Sequence, residues 1–211
     1  KRAGRSADND DVLAAVLNAN TPAVCLVGKT HDFHVRTALG VPLDENFENI
    51  RASIAHVVAQ GREALFDAEH FFDGYKSNPA YALSCLKAAS EAGARWIVLC
   101  DTNGGTLPHE VEAIVGRVLR SIPGEHLGIH THNDTENAIA NSLAAIRAGA
   151  RQVQGTLNGL GERCGNANLV TLIPTLKLKP DFAEAFEIGV DDAGLASLTH
   201  VSRALDELLN R

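Results

Sequence analysis

The sequence has no methionine, no CxxC pair, no excess of basic residues, and no apolar run near the ~20 residues that a membrane-spanning helix needs. Each absence excludes something. With Lys1 first and no methionine anywhere, the chain is expected to be a piece of a longer protein or its ordered portion. A formal net charge of −7 argues against nucleic acid as a partner, because phosphate binding needs a basic surface. The missing apolar run and the absence of a signal-peptide pattern exclude a membrane partner and point to the cytoplasm. Four scattered cysteines, Cys25, Cys85, Cys100 and Cys164, fit a reducing compartment. Cys25 and Cys100 sit in apolar runs and read as small core residues. No internal repeat or low-complexity segment is evident.

What is present is an ordinary globular composition, 45% apolar and 21% charged over 211 residues, enough for one sizeable core. Short apolar runs alternate with amphipathic segments. The expected strands are AVCLVG (Ala23 to Gly28), EALFDA (Glu63 to Ala68), WIVLCDT (Trp96 to Thr102), LGIHTH (Leu127 to His132) and QVQGTL (Gln152 to Leu157). Near-continuous apolar runs of this kind suit a parallel sheet covered by helices. Asn78 and Pro79 open one helix, which closes at Gly93. Leu43, Phe47, Ile50, Ile54, Val57 and Val58 form the apolar stripe of another, and Val111, Ile114, Val115, Val118 and Leu119 that of a third between Pro108 and Pro123. Asn133 or Asp134 caps a fourth, running to Gly149, and LASLTHVSRALDELL reads as a helix beyond the sheet that packs on something.

Two architectures share this rhythm, the doubly wound open sheet and the closed (β/α)8 TIM barrel. Nearly every strand ends in reactive residue types: GKTHDFH, DAEH, DTNGG, HTHND and NGLGERCGN. In a barrel those ends converge on one mouth, which favours an incomplete α/β TIM barrel, about strands 4 to 8 of eight, with the first strands expected before Lys1 or missing. The boundaries expected are a partial barrel over residues 1–178 and a helical extension over 179–211.

His130 and His132 alternate on one strand face and point the same way, so they are a candidate pair for one divalent ion, Mn, Mg, Co or Zn, or else two unrelated side chains. Two ligands are too few; a third, expected to be a carboxylate, must come from elsewhere. The glycine-rich stretch NGLGERCGNANLV (Asn158 to Val170) follows the last strand and runs into a helix, where backbone can approach a ligand closely.

GIHTHND followed by NGLGERCGNANL resembles a signature of the DRE-TIM metallolyase family, which holds isopropylmalate, homocitrate and citramalate synthases and 3-hydroxy-3-methylglutaryl-CoA (HMG-CoA) lyase. VGKTHDFHV, FDAEHFFDGYKSNPAYAL and VLCDTNGGTLPHEV are most similar to the citramalate synthase branch, from about Asp11 to Arg211. The resemblance implies an acyltransferase of amino-acid biosynthesis that condenses acetyl-CoA with pyruvate. A larger 2-keto acid would give isopropylmalate or homocitrate instead, and a truncated barrel serving as an interaction module is the reading from outside enzymology. It also implies a divalent metal on His130 and His132, with Asn166 at or next to it, although Asn166 reads equally as a helix cap. Thr102, after Asp101, matches a polar residue that holds the keto-acid carboxylate, and both are assigned to substrate binding together with His31. Glu69 matches an acid of acetyl-CoA activation, the alternative being a structural acid paired with Arg or Lys. Glu162 and Arg163 read as an ion pair, and Cys164 as a packing residue rather than a thiol catalyst. The adjacent Arg and Asp of the family's first strand, the Asp being a metal ligand, belong to the strands expected upstream. The intact protein is expected to be a homodimer.

Overall fold

The computed structural model describes residues 1–210. Five parallel strands form one sheet in the order β1-β2-β3-β4-β5: Ala23–Lys29, Glu63–Glu69, Trp96–Asp101, Leu127–Thr131 and Gln152–Gln154. Every strand is where the apolar runs placed it. The order never reverses, so each βα unit adds to the same edge and the helices accumulate on one side, as right-handed crossovers of a barrel require. A doubly wound sheet would have turned back at a switch point.

The sheet is also strongly curved. Gln154 Nε2 on β5 donates to Asp67 Oδ1 on β2 at 2.9 Å. In a flat sheet those strands would stand three spacings apart, roughly 14 Å. The concave face is therefore the inside of a barrel wall, and the register puts Cys25, Asp67, Cys100, His130 and Gln154 on it. The convex face carries Val24, Phe66, Ile97, Leu99, Leu127 and Ile129, all buried beneath the helices.

The helices follow their signals. In Pro79–Glu91, the Asn78 side chain accepts from Tyr81 N at 3.2 Å. Pro108–Val118 buries Val111, Ile114, Val115 and Val118. Leu43–Ala59 buries Ile50, Ile54 and Val57, but Val58 is exposed, and the polar Asn46 and Ser53 go inside instead. Asn46 is buried because Nδ2 donates to Lys29 O and Tyr81 Oη, both at 2.9 Å. Neither Asp134 nor Asn133 is the residue flanking the helix Ala138–Ala148; Asn137 is, while Asn133 Oδ1 reaches forward to accept from Ala138 N at 3.1 Å.

Cys25 departs from the core assignment. It is exposed on β1, which is an edge strand among the described residues; Cys85 and Cys100 are buried. The C-terminal helix Asp192–Leu208 buries no residue fully and docks on the β5 loop through Asn158, whose Nδ2 donates to Ser202 O at 3.0 Å and Asp206 Oδ1 at 2.8 Å. Arg211, the expected end of that helix, lies outside the described residues. Among the described residues no helix is long and apolar enough to cross a membrane.

Candidate metal centre at the strand ends

β4 carries His130 on its concave face and His132 just past its end, with ring centroids 5.2 Å apart. The glycine-rich loop folds back alongside: Ala167 N donates to Thr131 O at 3.1 Å and Asn133 N to Gly165 O at 2.9 Å, which sets Asn166 opposite His132. Gly161 is required here, since a Cβ on it would overlap the Asn166 amide.

Hydrogen bonding determines which atoms of this cluster are free. Gln154 Nε2 faces the Asp67 carboxylate, an acceptor, so its Oε1 is the atom 2.8 Å from His130 Nδ1. That contact requires a proton on Nδ1. Asn166 Nδ2 donates to Leu160 O at 2.9 Å, which turns Asn166 Oδ1 toward His130 Nε2 at 3.1 Å. In a neutral ring, two lone pairs then face each other. Close by, His132 Nδ1 is buried with no hydrogen-bond partner among the described residues. Burial first, then His130 and Arg163, push His132 below its ordinary pKa, which favours the neutral, ligating form.

A cation between His130 Nε2 and Asn166 Oδ1 would resolve the first of these defects. His130 Nε2 and Asn166 Oδ1, 3.1 Å apart with both lone pairs turned to the same space, are the atoms that would hold such an ion. Two imidazoles and an amide oxygen suit a borderline or hard divalent metal. Among the described residues no three His, Cys, Asp or Glu gather as a metal site, so no carboxylate ligand stands beside the pair.

The other sequence candidates distribute themselves around this centre. Thr102 extends β3 on the concave parity; its Oγ1 accepts from His70 N at 2.8 Å, leaving its own hydrogen to donate. Glu69 is ion-paired to Lys29 at 2.5 Å, so the paired-acid alternative describes its contact. His31 is not brought to the histidine pair. It stacks on His34 at 5.0 Å, and its Nδ1 lies 3.3 Å from Asp32 Oδ1. Asp101 is a correction. Its side chain takes the opposite parity and is buried, accepting from Thr106 Oγ1 at 2.8 Å and Asn141 Nδ2 at 3.3 Å, so it cannot meet a substrate at the mouth. Arg163 pairs not with Glu162 but with Asp134, through Nε at 2.7 Å and a terminal nitrogen at 2.9 Å, and ties the loop to Thr102 O at 2.7 Å. Cys164 is exposed, so the packing assignment does not hold either. Gln154 and Asp67 carry no motif of their own; strand alternation outward from His130 is the signal that points to them.

The chain is 48% identical over its whole length to the (R)-citramalate synthase of Synechocystis sp. and 50% identical to that of Geobacter sulfurreducens, spanning 39% of the length of each. It is 31% identical to the 2-isopropylmalate synthase of Solidesulfovibrio magneticus over 84% of the chain and 34% of that protein. Among solved structures, the HMG-CoA lyase of Bacillus subtilis matches with a TM-score of 0.82 at 18% identity, over 96% of this chain and 68% of that one, a likeness of fold. Residues 4–202 match the HMGL-like family, and the chain belongs to that family.

Proposed function

We propose that the protein condenses acetyl-CoA with pyruvate to give citramalate and CoA, with a divalent metal held by His130, His132 and Asn166. The observation that carries this reading is the pair of unmet lone pairs in one cluster, His130 Nε2 against Asn166 Oδ1 beside the buried His132 Nδ1. A divalent ion there supplies Lewis acidity toward the ketone oxygen of a keto acid. The choice of pyruvate rests on the 46–50% identity to citramalate synthases from four bacteria, against 31–34% to isopropylmalate synthases.

In this reading Thr102 donates its hydroxyl hydrogen to the keto-acid carboxylate, and the Glu69 carboxylate, aimed by Lys29, takes a methyl proton from the thioester. The resulting enolate carbon bonds to the ketone carbon, the alkoxide oxygen takes up a proton, and water then cleaves the thioester to release CoA. Residues 1–178 supply the barrel wall and its mouth, and 179–211 a helical extension beyond it, whose helix Asp192–Leu208 docks on the β5 loop. The proposal includes a cytoplasmic location and a homodimeric intact protein.

The test is CoA release by the full-length protein with Mn2+ and, in parallel, pyruvate, 2-ketoisovalerate or 2-ketoglutarate. Release greatest with pyruvate and abolished in His130→Ala is expected. Preference for 2-ketoisovalerate would reassign the enzyme as an isopropylmalate synthase, and no keto-acid-dependent release would leave a binding module.

A further inference from the structure

We propose that Gln154 is a positioning residue for the metal centre, holding His130 in the one tautomer that can ligate, and that Asp67 sets the orientation of Gln154. The proposal rests on the reading of His130 as a metal ligand. Its basis is a chain of contacts that, for a neutral His130 ring, has only one consistent assignment of hydrogens.

The Asp67 carboxylate accepts from Gln154 Nε2 at 2.9 Å, so the Gln154 amide cannot be reversed without placing oxygen against oxygen. Gln154 Oε1 therefore accepts from His130 Nδ1 at 2.8 Å, and the ring proton resides there. His130 Nε2 is left with its lone pair aimed at Asn166 Oδ1. Without Gln154 the alternative is attractive. A proton on Nε2 would donate to Asn166 Oδ1 at 3.1 Å, a sound hydrogen bond that satisfies both residues and closes the site to a cation. In a neutral ring, Gln154 prevents the cluster from satisfying itself. Such outer hydrogen bonds fix ring orientation in metal sites generally.

Asp67 has a further consequence. Replaced by asparagine, it offers either an acceptor or a donor to Gln154, so the Gln154 amide gains a second orientation and His130 a second tautomer. Exchanging the groups, Asp67→Asn with Gln154→Glu, restores a single pattern: the new carboxylate accepts from both the asparagine amide and His130 Nδ1–H.

The experiment uses the full-length protein and two readouts. Free Mn2+ is followed by electron paramagnetic resonance during titration, and imidazole 15N–1H correlation spectra of the metal-free protein report the His130 tautomer, assigned by signal loss in His130→Asn. Gln154→Leu and the near-isosteric Gln154→Met should weaken Mn2+ binding about 10- to 100-fold. Both should move the His130 proton from Nδ1 to Nε2, and the Asp67→Asn/Gln154→Glu double variant should recover both readouts. Unchanged Mn2+ affinity in a folded Gln154→Met, or a wild-type His130 protonated on Nε2 alone, overturns the proposal. A wild type that binds no Mn2+ overturns the functional reading instead, and the tautomer spectra still decide this one.

Discussion

Gln154 on β5 and Asp67 on β2 meet at 2.9 Å although β3 and β4 lie between their strands. That single hydrogen bond measures the curvature of the wall, and it ends the chain of contacts that orients His130. Fold and chemistry are coupled here through one side chain: a flatter sheet would separate the pair and release the ring.

Gly161 leaves the space that the Asn166 amide occupies. Gly161→Ala should displace that amide, weakening Mn2+ binding of the full-length protein by about 10-fold while moving Tm little. Isothermal titration and a thermal melt check the two parts separately.

Glu69, paired to Lys29, is assigned the proton-abstracting role. Glu69→Gln keeps the shape and removes the base, so kcat for CoA release should fall about 10²- to 10⁴-fold. Mn2+ affinity should stay unchanged, because among the described residues the Glu69 carboxylate pairs with Lys29 and makes no hydrogen bond to His130, His132 or Asn166. Loss of metal binding in this variant would place the acid in the metal site instead.

Asp101 separates stability from substrate binding. Asp101→Ala leaves the buried Thr106 hydroxyl without its acceptor and the Asn141 amide with only Thr106 O, at a cost of about 1–3 kcal/mol. Asp101→Asn, which keeps an acceptor oxygen, should recover most of it. Urea unfolding reads the cost, and an unchanged KM for the keto acid in Asp101→Asn checks that the residue stays out of the mouth.

His70 makes stability depend on acid. Its Nδ1 is buried without a partner among the described residues, and burial first, then the neighbouring His34, push its pKa down to about 4; Lys29 also lowers it, while Glu69 and Asp73 oppose the shift. An unfolded histidine takes its proton near pH 6.5. Between pH 6.5 and about 4 the unfolded chain therefore binds more protons than the folded one, and stability falls as pH falls through that window. His70→Asn should flatten the dependence in urea titrations across it. Asparagine tolerates the left-handed backbone at this position, where φ is 58°.

Local signals made much of the fold legible. All five strands, the Asn78 cap and the apolar stripe of Pro108–Val118 follow from period and capping, which act over a few residues. The shared facing of His130 and His132 follows from alternation alone. The same alternation could have shown that Asp101 and Thr102 point opposite ways, so that only one of them faces the mouth.

Other features were beyond any local pattern. Cys25 lies in an apolar run like that of Cys100, yet only the strand order exposes one and buries the other. Arg163 sits beside Glu162 in the chain, but the fold of the loop gives it to Asp134. The sequence by itself determined the elements, their order and the two imidazoles on one strand face, because these depend on neighbours three or four residues away. Only the tertiary structure decided that residues 67, 130, 154 and 166 share hydrogen bonds, because sheet curvature, a property of all the strands together, brings separations of up to 87 positions down to contact.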